Sequence, residues 1–169
     1  VSPSLDRLGY GGLSFPNMYS SSMNVGEMLG SLVDETMVSR LGASGYSTVA
    51  YTEGETISGA DLDYGSAIGA GFQMFDSDYN SGRGSGVTIQ KAQKWIDGHR
   101  SVAFFMLVRL RGLEDVASLK DVEGAYPESG RARAVDMFDN GLQRLDSQLG
   151  SLLKYIRDHD TRKNTFIFL

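Results

Sequence analysis

Apolar residues recur along this chain in two rhythms: helical steps of three and four, and short continuous runs of strand length. The helical rhythm is clearest near the end. There Val135, Phe138, Leu142, Leu145, Leu149, Leu152 and Ile156 alternate such steps, which predicts a long amphipathic helix. The seam suits a helix packed on a sheet, favoured by the flanking strands, and it is also long enough for a coiled coil and a possible oligomer. After the turn at Asp158-His159-Asp160 and residues 161–164, TFIFL (165–169) reads as a last strand.

Shorter elements precede it. SPSLDRLGYGG (2–12) predicts a short helix with Ser2 or Ser4 as cap, Leu5 and Leu8 on one face and Gly11-Gly12 at its end. LSFPNMYSSS (13–22) reads as extended, with Pro16 at a sheet edge or bend. DETMVSRLGASG (34–45) predicts a helix capped by Asp34, with Met37, Val38 and Leu41 facing inward and Gly45 just past its end. YSTVAYT (46–52) is β-branched and aromatic, a strand. Residues 53–71 are glycine-rich and acidic, a loop, and GFQMF (71–75) is a second short apolar run. DSDYNSGRGSG (76–86) reads as a loop, and VTIQKAQKWIDGHR (87–100) as a helix with Ile89, Ala92, Trp95 and Ile96 on its inner face. SVAFFMLVRL (101–110) predicts a strand buried on both faces, followed by a long polar connection over 111–130. Helices alternating with strands imply a doubly wound α/β layer: a mainly parallel sheet flanked by helices. No internal repeat is visible.

Composition narrows the classes. The 169 residues, 41% hydrophobic and 22% charged, suffice for one globular domain with a real core. A net charge of -5 argues against a general nucleic-acid binder. The longest apolar run, residues 102–108, falls far short of the roughly 18 residues that span a bilayer. With no cysteine there is no disulfide, thiolate metal site or cysteine nucleophile. The chain opens on Val1, without a signal-peptide pattern, so a processed chain or a piece of a longer domain is expected. Its 21 glycines and 3 prolines suggest many tight loops.

Several constellations invite a chemical reading. Asp76, Asp78 and Asn80 have the spacing that opens a calcium loop, but the glycine comes one place late, at Gly82, and Val87 stands where the bidentate glutamate belongs. A solvated turn is the default there. GRGSG (82–86), with Arg83, has the composition of a phosphate cradle before a helix, set against a flexible connector. Asp61 and Asp63 read as loop solubility. His99 lies at a helix end, where its cationic form suits the dipole, and His159 lies in an acidic turn.

The order of segments resembles the sulfatase family of the alkaline-phosphatase superfamily. SPSLDRLGYGGLSFPNMYSSS looks like that family's Pro-x-Leu-Asp-x-Leu and Gly-x-x-Phe-x-Asn-x-Tyr-Ser. DETMVSRLGASGYSTVAYTEG is similar to its helix and Gly-Tyr-x-Thr strand, and GFQMFDSD to its Gly-Phe-Asp stretch. KAQKWIDGHRSVAFFMLVRL resembles the following helix and Pro-Phe-Phe strand; DNGLQRLDSQLGSLLKYIRDHDTRKNTFIFL resembles the long helix with Leu-Asp-x-x-Leu-Gly, then Asn-Thr and a strand. The likeness runs over nearly the whole chain, as one sulfatase-like α/β domain over residues 1–169.

The resemblance implies hydrolysis of sulfate esters with a divalent metal, calcium or magnesium. Its ligands in the family come from an aspartate pair on a strand before this region and from Asp-His-Gly after the last strand, neither present in these residues. A hard cation needs such oxygen ligands to activate the nucleophile and neutralise the ester. The family nucleophile, Cys or Ser followed by Pro and often Arg, falls nearest Ser21 or Ser22, where Met23, Asn24 and Val25 follow instead. Arg109 and Arg111 stand near the family's strand-end His and suit bidentate binding of an anionic sulfate or phosphate ester. Thr52-Glu53-Gly54-Glu55 replaces the family lysine with acid. Three readings follow: a sulfate-ester hydrolase, or a phosphoester or phosphoglycerol transferase of the same superfamily, completed by further segments; a non-catalytic sulfatase-like binding or assembly domain; and an α/β protein that oligomerises through its seam. The 169 residues alone are expected to show no metal-dependent hydrolysis of aryl sulfates or phosphate esters.

Overall fold

YSTVAYT has β-branched or aromatic residues at most positions and no charge before Glu53, the composition of a strand. The computed structural model describes residues 2–15, 17, 19, 35–53, 71–78, 84–110, 128–160 and 164–168. In it β1 (Ser47–Glu53) is the middle of a three-stranded sheet of order β2-β1-β3, with β2 at Met74–Asp78 and β3 at Phe104–Arg109. Both pairings are parallel, so the fold is of the α/β class, with helices flanking a small parallel sheet. Thr48 through Glu53 are all buried, whereas every residue of β3 is half-buried. The doubly covered strand is thus β1 rather than the apolar run SVAFFMLVRL. Position explains this: β1 has a partner on each side, and β3 pairs on one side only among the described residues.

The helices are α1 (Pro3–Gly11), α2 (Glu35–Ala43), α3 (Ser85–Gly98) and α4 (Glu128–His159). The described parts fall into two compact units. One holds Val1–Ser14, Gly84–Gln93 and Leu110–Leu169; the other holds Phe15–Arg83 and Lys94–Arg109.

In the sheet unit, α2 ends in a Schellman motif. The N–H of Tyr46 donates to the Leu41 carbonyl, that of Gly45 to Gly42, both at 3.0 Å, and Gly45 has φ +88°. The chain then passes straight into β1, packing α2 on the sheet through Val38, which is wholly buried. Gly71, at φ +83°, lies against the same turn of α2: a Cβ there would stand 2.9 Å from the Glu35 carbonyl oxygen and 3.3 Å from Val38 Cβ. β2 is aligned one step before its ladder begins. The Thr48 N–H donates to the Gln73 side-chain carbonyl at 3.2 Å, and the Gln73 N–H donates to Thr48 Oγ1 at 3.0 Å. Rings complete the packing: Phe72 stacks on Phe105 at 5.9 Å, and Trp95 meets Phe104 edge-on at 5.5 Å.

In the helical unit, α1 packs on α4. Of the two predicted caps, Ser4 lies inside the helix and Ser2 makes no side-chain cap bond, although Pro3 at the first helical position suits the start. A distant carboxylate caps α1 instead. Asp146 on α4 accepts from the Ser4 N–H at 3.0 Å and 3.1 Å and from the Leu5 N–H at 2.9 Å. Gly150, one turn further along α4, allows the close approach, since a Cβ there would collide with Ser4 Oγ and stand 3.1 Å from Ser4 Cβ. Gln93 Nε2 donates to Ser151 Oγ at 3.1 Å, tying α3 to α4. Along the seam, Leu152 is buried, Leu142, Leu145, Leu149 and Ile156 are half-buried, and Val135 and Phe138 lie 58% and 45% exposed.

Residues 164–168 are outside helix and strand, contrary to the strand expected for TFIFL, and Phe166 and Phe168 are 86% and 89% exposed. Strand propensity measures fit to a pleated, half-buried surface, and this run has no such surface against it among the described residues. No described helix is long and apolar enough to cross a membrane.

Candidate functional site at the carboxyl edge of the sheet

Three parallel strands end together, and in α/β sheets that edge is where ligands bind. Register fixes which residues meet there. Glu53 pairs with Asp78, and Thr52 pairs with Ser77 on one side and Arg109 on the other. Neighbouring strands lie about 4.8 Å apart, and successive side chains alternate between faces. Arg109 therefore shares a face with Thr52 and Ser77. Glu53 shares the other with Tyr51 and with Asp76, the partner of Tyr51.

Glu53 was expected to open a glycine-rich, acidic loop. It is instead the last residue of β1, and only 5% exposed. Glu55, Asp61 and Asp63 lie outside the described residues. Thr52 is buried too, and Arg109 half-buried. Ser21, Ser22 and Arg111 lie outside the described residues, as do Asn80, Gly82 and Arg83. Of the sequence-derived anion and nucleophile candidates, Arg109 is thus the one that the described structure positions.

Asp76 and Asp78 belong to β2, not to a turn. A calcium loop folds its first ligands around the ion, which extended backbone does not do. Among the described residues no three His, Asp or Glu side chains come together in a group able to hold a metal ion. The divalent cation implied by the resemblance therefore finds no ligand set among them.

The two histidines serve helix ends. His99 donates from Nδ1 to the Trp95 carbonyl at 2.8 Å and stacks on the Trp95 ring at 3.8 Å. His159 repeats the arrangement with Tyr155, at 2.7 Å and 4.1 Å. A carbonyl only accepts, so Nδ1 carries the hydrogen in both, and an aromatic residue four positions before a terminal histidine is the shared pattern. Beside His159, Asp160 accepts from the Thr165 N–H at 2.9 Å and the Asn164 N–H at 3.4 Å.

Two carboxyl groups on α4 are shifted. Burial alone would push the Asp146 carboxyl up; the N–H groups of Leu5 and Ser4, with the Ser4 hydroxyl, outweigh it and hold it below the usual range. Asp158 is held down by the Lys154 ammonium hydrogen-bonded to it, with Arg157 adding charge. Asp146 was not among the sequence candidates, yet it had a signal. It shares a helix face with Leu142 and Leu149, and an acid on an apolar face requires a buried donor.

No protein-family model and no curated protein matches this chain.

Proposed function

We propose that the chain is a sulfatase-like α/β domain that receives an anionic sulfate or phosphate ester at the carboxyl edge of its parallel sheet, with Arg109 as a contact to the oxyanion. The observation that carries this reading is the register: Arg109 ends β3 beside Thr52 at the end of the central strand, on the edge where parallel sheets take ligands. A guanidinium there offers two parallel N–H donors to a tetrahedral oxyanion. Ser21 and Ser22 are the candidate nucleophiles for transfer of the sulfuryl or phosphoryl group, by analogy with the family.

Binding without turnover is the second reading, and Glu53 favours it. The resemblance expects a cation just after the central strand, and a buried carboxylate closes that strand instead. Negative charge beside a developing anionic transition state opposes the reaction that a lysine would assist.

The experiment has two parts. Isothermal titration with sodium sulfate, on the protein and on Arg109→Ala, reads the anion site; we expect the variant to bind at least tenfold more weakly. Nitrophenyl sulfate and phosphate assays with calcium, magnesium or manganese, beside a Ser21→Ala, Ser22→Ala double variant, separate the two readings. Metal-stimulated turnover abolished in the double variant establishes the hydrolase, and sulfate binding without turnover establishes the binding domain. Equal sulfate affinity in Arg109→Ala overturns the site.

A further inference from the structure

We draw no further inference here: the strongest candidate, the exposed apolar pair Val135 and Phe138 on the first half of α4, carries nothing because no observation among the described residues shows what covers it.

Discussion

Asp146 shows how one side chain joins two distant segments. The first N–H groups of any helix lack partners within it, and a carboxylate placed there also meets the positive end of the helix dipole. Asp146 is only 3% exposed, and its removal leaves the half-buried Ser4 and Leu5 N–H groups without that acceptor. Asp146→Ala should therefore cost roughly 2–3 kcal/mol in urea unfolding, a lost cap plus unmet N–H groups. The pH dependence follows from the lowered native pKa. Asp146 contributes its stability fully above the ordinary carboxylate range and loses it as pH falls through the lower native value. Asp146→Asn should flatten the acid limb of stability against pH; an unchanged limb would contradict this account. Lys154 with Asp158 is a contrast, since both are well exposed, and Lys154→Met should leave the urea midpoint essentially unchanged. Glycines separate in the same way. Gly71→Ala meets both a left-handed φ and the Glu35 carbonyl, so a loss of roughly 2–3 kcal/mol is expected. Gly45→Ala, with the same sign of φ but open space around it, should lose only about 1 kcal/mol. Equal losses in denaturant melts would show that packing against α2 is not what selects Gly71.

Helices were the most legible elements, because their information is local. The steps of three and four in α4, the glycine beyond α2 and the inner face of α3 at Ile89, Ala92 and Ile96 are each readable within a few residues, and the last three are buried as expected. What escaped was whatever a second segment decides. The cap of α1 comes from a residue more than 140 positions away, so no reading of SPSLDRL reveals it. Burial of β1 over β3 is a matter of strand order, which hydrophobicity does not encode: FFMLV is the more apolar string and holds the less buried position. TFIFL carries strand propensity without a strand over its described residues, because propensity measures fit to a half-buried pleated surface and Phe166 and Phe168 are exposed. The seam of α4 is accordingly uneven. Leu152→Ala, at 5% exposure, should lose roughly 2–4 kcal/mol, whereas Val135→Ala and Phe168→Ser should stay within about 0.5 kcal/mol. A loss at Val135 as large as that at Leu152 would mean that the first half of the seam is covered in solution.

At the scale of the whole molecule, the proposed anion site has to work in a protein of net charge -5, at an edge that also carries a buried glutamate. Local geometry has to outweigh the overall field, and the pleat supplies the means by sending Arg109 and Glu53 to opposite faces. An oxyanion contacting Arg109 on the Thr52 face still feels Glu53 across the strand. At an effective dielectric of 20, two unit charges on the order of 10 Å apart repel by on the order of 1–2 kcal/mol. Glu53→Gln keeps the shape and removes the charge, so sulfate should bind about tenfold or more tightly, opposite in sign to Arg109→Ala. Combining the two substitutions distinguishes field from contact. If both act on one bound ion, Glu53→Gln strengthens whatever binding remains in Arg109→Ala by a similar factor. Titrations in 50 mM and 300 mM sodium chloride add a second axis, because the charge effect should shrink with salt at an exposed site and persist at a dry one. Should Glu53→Gln leave sulfate affinity unchanged in protein that still melts cooperatively, the anion does not sit at the carboxyl edge of this sheet, and Arg109 acts in packing instead.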